Sequence, residues 1–543
     1  MSTTSKQHIG WKATSTTGVV AAGGAEAVAA GIGILDDGGN AADAAVATIF
    51  ALNITDHGAC SIGGEVPLLI YDAQHKEVKA LSGQGRAPLS QEAVDWYMKH
   101  GIPGEGDIKM APVPSVVDLC ITTLQRYGTR TLRDVVAPTL ALLDAGTVSW
   151  HPKLAVTLRR MVEEEDITSG NREEKLQAAT DRFYGRNKYR NDIADDLEAY
   201  YIEKGGFLRK TDLAAHTTTI EDPVTVDYRG YTICKCGPWT QGPFLCQALR
   251  LLEGFDLRAM GHLSADYVHV VTEAIKLAMA DRDEHYGDPD FVDVPMQALL
   301  SGAYTEIRSP LIEMQKVSLE ARPGDPHKMK ALKGNGVFRP GVGGTTTCVV
   351  ADRWGNVVSA TPSANVPVEP QDGGKAGVTF GNRLRSLNTT PGHPNCIQPG
   401  KRPRITLTPT MVLKDGKPIM AISVAGGDLQ DQVTLNLLLD VIEFDMPPEA
   451  AVTAPRFATA HHEDSFDPNH DRMQTFIEPG SLTISDRVSD SVEEELSRRG
   501  HKCKVEASPI ATPVMLTIDQ VSGVFSAAGD PGTHRHAAGM KEK

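Results

Sequence analysis

The sequence has no run of about 18 apolar residues, the length a membrane-spanning helix requires. Its best candidate, residues 18–35, is a Gly/Ala stretch broken by Glu26. The opening residues, MSTTSKQHIGWKATSTTG, lack the apolar core of a secretory signal. A cytoplasmic location is therefore expected, or a periplasmic one if a signal once preceded this chain, with no membrane partner. Basic charge is also short: the formal charge is −15. Phosphate contacts need clustered Lys and Arg, so nucleic acid is excluded as the main partner. The eight cysteines are too widely spaced for a disulfide framework or a CxxC pair. Cys234 and Cys236 share one face of a predicted strand and are expected to be free thiols.

Hydrophobic residues make up 41% of the chain and charged residues 23%, which is ordinary globular usage with enough apolar surface for a large core. Asn40 predicts a cap before AADAAVATIFAL, and Ser264 predicts another before a long helix with Val268, Val271 and Ile275 in register. Residues 115–146 read as two shorter helices. Residues 315–344 are polar, Gly/Pro-rich and non-periodic, and read as a mobile linker. After it the texture turns to strands: TTCVVA and VVSAT flank DRWGN, and TMVL and IMAISVA flank Asp415-Gly416.

The linker ends on Gly344-Thr345. A threonine hydroxyl is a weak nucleophile and needs a base beside it. If the bond before Thr345 is cut, the freed α-amine supplies that base within the same residue. Such chemistry needs a β-hydroxyl at the new N-terminus, a small residue before it and an upstream segment that can leave. Gly344-Thr345 provides all three, although a Thr-rich strand alone would read the same way.

The longer pattern from Thr345 through Asp352-x-x-Gly355-Asn356 resembles the start of the small subunit in the gamma-glutamyltranspeptidase family. GGNAADAAVA (38–47), SIGG (61–64), DYRGY (227–231), ADRDEHYGDPDFVDVP (280–295), GKRPRITLTPTMVLKDGKP (400–418), SVAGGD (423–428) and APRF (454–457) follow in that family's order. The resemblance implies an α+β fold, the four-layer αββα sandwich of N-terminal-nucleophile hydrolases. It also implies an autoprocessing threonine amidohydrolase or acyltransferase, with a large subunit (1–344) and a small one (345–543) built into one core. On this reading Thr345 is the nucleophile, and Ser363 is a hydroxyl that helps activate it. Gly426 and Gly427 are the oxyanion-hole pair, where the lack of Cβ lets two N–H groups converge. Asn365 falls at a polar substrate-side position.

Departures from the family pattern point to the substrate. Where the family has an arginine for the substrate α-carboxylate this chain has Gln84, with Arg86 two residues later. The acid that holds a glutamyl α-ammonium falls near Ser386, between which and Asn382 stand Arg383 and Arg385. A double serine becomes Ile405-Thr406. Losing a carboxylate and gaining guanidinium groups favours an anion over an ammonium. The expected substrate is thus a small-molecule amide whose acyl part carries a carboxylate, of oxamate or glutaryl type. The alternatives are a true gamma-glutamyltransferase or glutathione hydrolase, and an unprocessed binding relative without activity. No cofactor or metal is expected: His461 to Asp471 reads as a solvated loop, and His534-x-His536 is read the same way. Self-association, as a homo-oligomer, is left open.

Overall fold

A computed structural model describes residues 9–104, 106–331, 344–364 and 372–541. The capped helix starts are present. The Asn40 side chain accepts from the Asp43 N–H while the Asp43 carboxylate accepts from the Asn40 N–H, a reciprocal cap that opens Ala41–Thr55. Ser264 opens Ala265–His285 by accepting from the Tyr267 N–H. Residues 115–146 form Val116–Tyr127 and Leu132–Ala145. Between Thr410–Lys414 and Lys417–Ala425, Asp415 and Gly416 take φ of 52° and 72°. That left-handed pair is what a two-residue hairpin turn of this hand demands.

Two antiparallel seven-stranded sheets result. The first runs Lys12–Ser15, Phe525–Gly529, Thr512–Ile518, Lys417–Ala425, Thr410–Lys414, Tyr231–Lys235, Val224–Tyr228. The second runs His536–Gly539, Gly18–Ala22, Cys348–Asp352, Val357–Ala360, Val66–Asp72, Glu77–Gly83, Thr219–Glu221. Their facing sides bury Val19, Leu69, Val349, Met411 and Leu516 in one inter-sheet core. The outer face of the second sheet packs on Ala41–Thr55 and Val116–Tyr127. That of the first packs on Pro243–Leu252, Ala265–His285 and Gln430–Ile442. This is the four-layer αββα sandwich, of α+β class, that the sequence pattern implied. Each sheet takes strands from both sides of position 344. All eight cysteines are free, and Cys234 and Cys236 are buried.

Residues 332–343 of the expected linker lie outside the described residues. Residues 313–320, which run into the linker, are hydrogen-bonded to the body. Donors from the body reach their carbonyls in sequence: His269 to Glu313 (2.8 Å), Arg499 to Met314 (3.0 Å), Lys276 to Ser318 (2.5 Å) and His461 to Glu320 (3.1 Å). Periodicity misses such a strap because its partners are polar and distant in sequence.

The turn after Cys348–Asp352 explains its motif. Buried Asp352 accepts from the N–H groups of Trp354 (2.8 Å), Asn356 (3.0 Å) and Ala41 (2.8 Å), and from the Asn356 amide (2.8 Å). One carboxylate therefore shapes the hairpin and holds a helix N-terminus. Asp352→Ala should lower unfolding free energy by about 2 kcal/mol or more, measured by denaturant titration; an unchanged midpoint would refute this role.

Candidate active site

Thr345 stands where the chain enters the middle of a sheet. Its backbone leads into Cys348–Asp352, a strand paired on both sides. The Thr346 N–H donates to the Pro362 carbonyl (2.9 Å), and the Gly23 N–H donates to the Thr347 carbonyl (3.2 Å). A Cβ on Gly23 would collide with the Thr346 hydroxyl. Thr345 itself is buried, with Oγ1 3.3 Å from Ser363 Oγ. The Ser363 hydroxyl donates to the Gly344 carbonyl at 2.7 Å.

Segment 61–65 positions Ser363. Glu65 and Ser363 exchange both backbone hydrogen bonds, at 2.8 and 2.9 Å. Gly63 bridges Phe380, and Ser61 Oγ donates to the Thr379 carbonyl at 2.8 Å. These approaches require the two glycines. A Cβ on Gly63 would strike the Thr379 carbonyl, and one on Gly64 the Ser363 carbonyl. The turn Arg383–Ser386 then brings Arg383 back toward Ser363 and Thr345. Its Nη2 donates to Ser363 Oγ (2.7 Å) and its Nε donates to the buried Glu65 carboxylate. Burial pushes the Glu65 carboxyl up, while the Arg383 charge draws it back down.

On the other side, Gly426 and Gly427 turn Lys417–Ala425 into a helical segment that continues as Gln430–Ile442. Their φ values, 153° and 61°, favour glycine, and Ala511 and Phe466 pack where side chains would stand. The Gln430 amide nitrogen donates to the carbonyls of Thr406 and Val424, 3.1 Å each, which leaves its oxygen 3.5 Å from Thr345 Oγ1. The N-terminus of a 13-residue helix thus lies beside the hydroxyl, and such an end favours developing negative charge.

Behind this turn the charges come in pairs. Arg282 donates to the Gln241 amide oxygen (2.8 Å) and to Asp428 (2.5 Å). Asp428 also accepts from Ser465 Oγ at 2.5 Å, and Arg404 donates to that hydroxyl at 3.1 Å. Burial works against the Asp428 carboxylate, but Arg282 and its neighbours hold it well below the usual range. Burial together with nearby Arg282 brings Arg404 down to about 10. Deeper still, Lys235 and Asp431 form a fully buried pair at 2.7 Å; burial lifts Asp431 to about 6 against the pull of Lys235. The Phe466 ring closes the wall, with Arg383 and Arg385 guanidinium carbons 5.3 and 4.7 Å from its centre.

A family model described as Gamma-glutamyltranspeptidase matches residues 27–178 and 141–540. The chain belongs to the gamma-glutamyltranspeptidase family. The glutathione hydrolase proenzyme of Bacillus subtilis (strain 168) is 30% identical, over 94% of this chain and 90% of that protein. The acylase ACY 1 proenzyme of Pseudomonas sp. (strain SE83) is 29% identical, over 90% of this chain and 88% of that protein. Among solved structures, that of LmbA2991HD is 33% identical with a TM-score of 0.84, covering 99% of this chain and 100% of that one. Family and enzyme class, a threonine amidohydrolase, thus agree with the sequence reading.

Of the residues that the gamma-glutamyltranspeptidase pattern singled out, the fold brings together Thr345, Ser363, Arg383, Arg385 and the turn at Gly426 and Gly427. Thr406 is buried beside them, its carbonyl taken by Gln430 and its hydroxyl without a partner among the described residues. Ser386 is also buried, its Oγ unpartnered among the described residues and its carbonyl accepting from Asn395. Asn365 lies outside the described residues. Gln84 and Arg86 are engaged elsewhere. The Gln84 amide donates to the Pro403 carbonyl, while Arg86 pairs with Asp290 (3.1 Å) and donates to the Gly400 carbonyl (3.2 Å).

Sequence reasoning missed Glu65, Gln430 and Phe466. Glu65 carried a signal, a lone acid opening the apolar run VPLLIY directly after SIGG. The loop from His461 was expected to be solvated, and this is corrected: His461 and His462 are buried. His461 Nδ1 accepts from the Gly480 N–H (2.9 Å) while its other nitrogen donates to Glu320, so the ring stays neutral, in keeping with a lowered pKa caused by burial.

Two glycines make a controlled pair. Gly64→Ala should displace Ser363 and cut amidase activity about 10²-fold. Gly33→Ala, in the interior of Ala25–Asp36 with open space around it, should keep full activity and add about 0.5–1 kcal/mol of stability. Steady-state rates and thermal midpoints check both; a fully active Gly64→Ala enzyme would refute the positioning of Ser363 by this segment.

Proposed function

We propose that the chain is a precursor that cuts itself between Gly344 and Thr345, and that Thr345 then carries acyl groups from amides to water or an acceptor amine. The observation that supports this most is the Thr345 hydroxyl, held 3.3 Å from Ser363 at a helix N-terminus beside Gly426 and Gly427. In maturation Oγ1 attacks the Gly344 carbonyl carbon, and water cleaves the resulting ester. In turnover the freed Thr345 amine takes the hydroxyl proton as the oxygen attacks the substrate amide. The N–H groups at Gly426 and Gly427 receive the oxyanion, and the amine leaves. Nucleophile, base and oxyanion donors all come from the chain, so the chemistry calls for no cofactor. The products, 1–344 and 345–543, stay together because each sheet is built from both.

The proposed substrate is an amide whose acyl part carries a carboxylate and no α-ammonium. Support comes from the wall beside Thr345. The position of the ammonium-holding acid is taken by Ser386, and Arg385 lies over Phe466 in the same wall. Relatives named as glutathione hydrolase and as acylase proenzymes frame the two outcomes.

Purified protein should give two bands on a denaturing gel, about 37 and 21 kDa by proportion from the 58.3 kDa chain, and Thr345→Ala a single one. An uncut wild-type protein that hydrolyses amides would overturn the reading. A glutaryl anilide should be hydrolysed at least about tenfold faster than its γ-glutamyl counterpart, a difference of some 1.4 kcal/mol. The reverse preference would assign the glutathione hydrolase activity instead.

A further inference from the structure

Resting on the reading that Thr345 attacks Gly344, the geometry points to a positioning device for self-cleavage that the family pattern does not supply: the buried pair Glu65–Arg383. Three groups meet Ser363 Oγ. The Arg383 guanidinium is only a donor, and the Gly344 carbonyl is only an acceptor. The single Ser363 proton must therefore point at Gly344 O, at 2.7 Å, while a lone pair faces Arg383 Nη2, also at 2.7 Å. The Thr345 hydroxyl, 3.3 Å away, finds the other lone pair. Arg383 thus removes the rotational freedom of the Ser363 hydroxyl and polarises it toward the carbonyl that precedes the nucleophile. Glu65 holds the guanidinium in place, and its own backbone pairs with that of Ser363 on both sides.

The consequence is a division of labour. When Oγ1 of Thr345 bonds to the Gly344 carbon, negative charge develops on Gly344 O, where the Ser363 hydroxyl already donates with a cation behind it. The C–N bond then breaks, the proton from Oγ1 ends on the Thr345 nitrogen, and an ester links the two residues. Water adds to that ester, giving the Gly344 carboxylate and a free Thr345 with both amine and hydroxyl. The Ser363–Arg383–Glu65 chain serves the first oxyanion, formed within the precursor. The turn at Gly426 and Gly427 serves those formed later on substrates.

The test is the first-order rate at which purified precursor converts to its two products, followed on denaturing gels with mass spectrometry of the new termini. Ser363→Ala should slow it about 10²–10³-fold, and Ser363→Thr should restore most of it. Removing one member of a buried ion pair endangers the fold, so the decisive variant is the double change Glu65→Leu/Arg383→Met. It should keep the circular dichroism spectrum and cut about 10²-fold more slowly. Arg383→Ala should be accelerated by guanidinium ion at sub-denaturing concentration, which a merely structural arginine would not show. A folded double variant that cuts at the wild-type rate, or an Arg383→Ala protein that cuts slowly and ignores guanidinium, overturns the inference. Thr345→Ala separates the two readings: if it is cut as well, the proposed nucleophile falls. If it stays whole while the double variant matures normally, only the role of Arg383 falls.

Discussion

The constraint on which the site depends is that Thr345 stands three residues before Cys348, the start of a central strand, on backbone already tied to its neighbours. A side chain on a loop could drift, but Thr346 and Thr347 are already hydrogen-bonded to Pro362 and Gly23, and Cys348 is in register with Ala22 and Ala360 on either side. Sheet pairing of this kind specifies position strongly, because a slip of one residue would turn every side chain to the opposite face. The hydroxyl is therefore placed by the same hydrogen bonds that hold the sheet together. Interdigitation of the two sheets behind it fixes the distance to the turn at Gly426 and Gly427, which leaves the other sheet.

Around that fixed point the polar groups are arranged so that few buried charges stand alone. Glu65 answers Arg383, Asp428 answers Arg282, and Asp431 answers Lys235. Buried pairs of this kind contribute little net stability compared with apolar packing, since desolvation consumes much of the Coulomb gain. What they supply here is orientation. Arg383 has one nitrogen on Glu65 and another on Ser363. Arg282 holds the side chains of both Gln241 and Asp428, the second of which follows Gly427 directly. The first two pairs thus fix Ser363, which lies beside Thr345, and the residue that follows the Gly426–Gly427 turn.

The family order of motifs, the helix caps at Asn40 and Ser264, both hairpins and the four-layer architecture were legible in the sequence, because each rests on local chemistry or on a pattern spanning the chain. Asp352 was legible as part of the motif after Thr345, but its work for the Ala41 helix was not, being a contact across 311 positions. Glu65 and Arg383 show why the rest was hidden. Arg383 was read as a guanidinium gained by the pocket and so as an anion receptor, and nothing nearby in sequence revealed a carboxylate 318 positions away that takes one of its nitrogens. Arg86 was misjudged in the same way; its acids, Asp288 and Asp290, lie on a distant loop. His461 and His462 looked like solvated polar residues because hydropathy cannot see a carbonyl waiting to be capped.

On the proposed mechanism the precursor displays its own acyl group, Gly344, to Thr345. The Gly344 carbonyl carbon is attacked, on that mechanism, by the same Thr345 oxygen that later attacks a substrate acyl group. The Gly344 carbonyl oxygen meets Ser363 Oγ, whereas on the same mechanism substrate oxygens are received at the turn of Gly426 and Gly427. A glycine asks almost nothing of the side-chain space around it, so on that mechanism the precursor places no demand on the side chains near Thr345. On the proposed mechanism self-cleavage is then tied to backbone pairing and the Ser363 contact, and substrate choice to side chains that the glycine does not engage. Such a separation, on the proposed mechanism, would let the order of family motifs persist while residues near Ser386 depart from it.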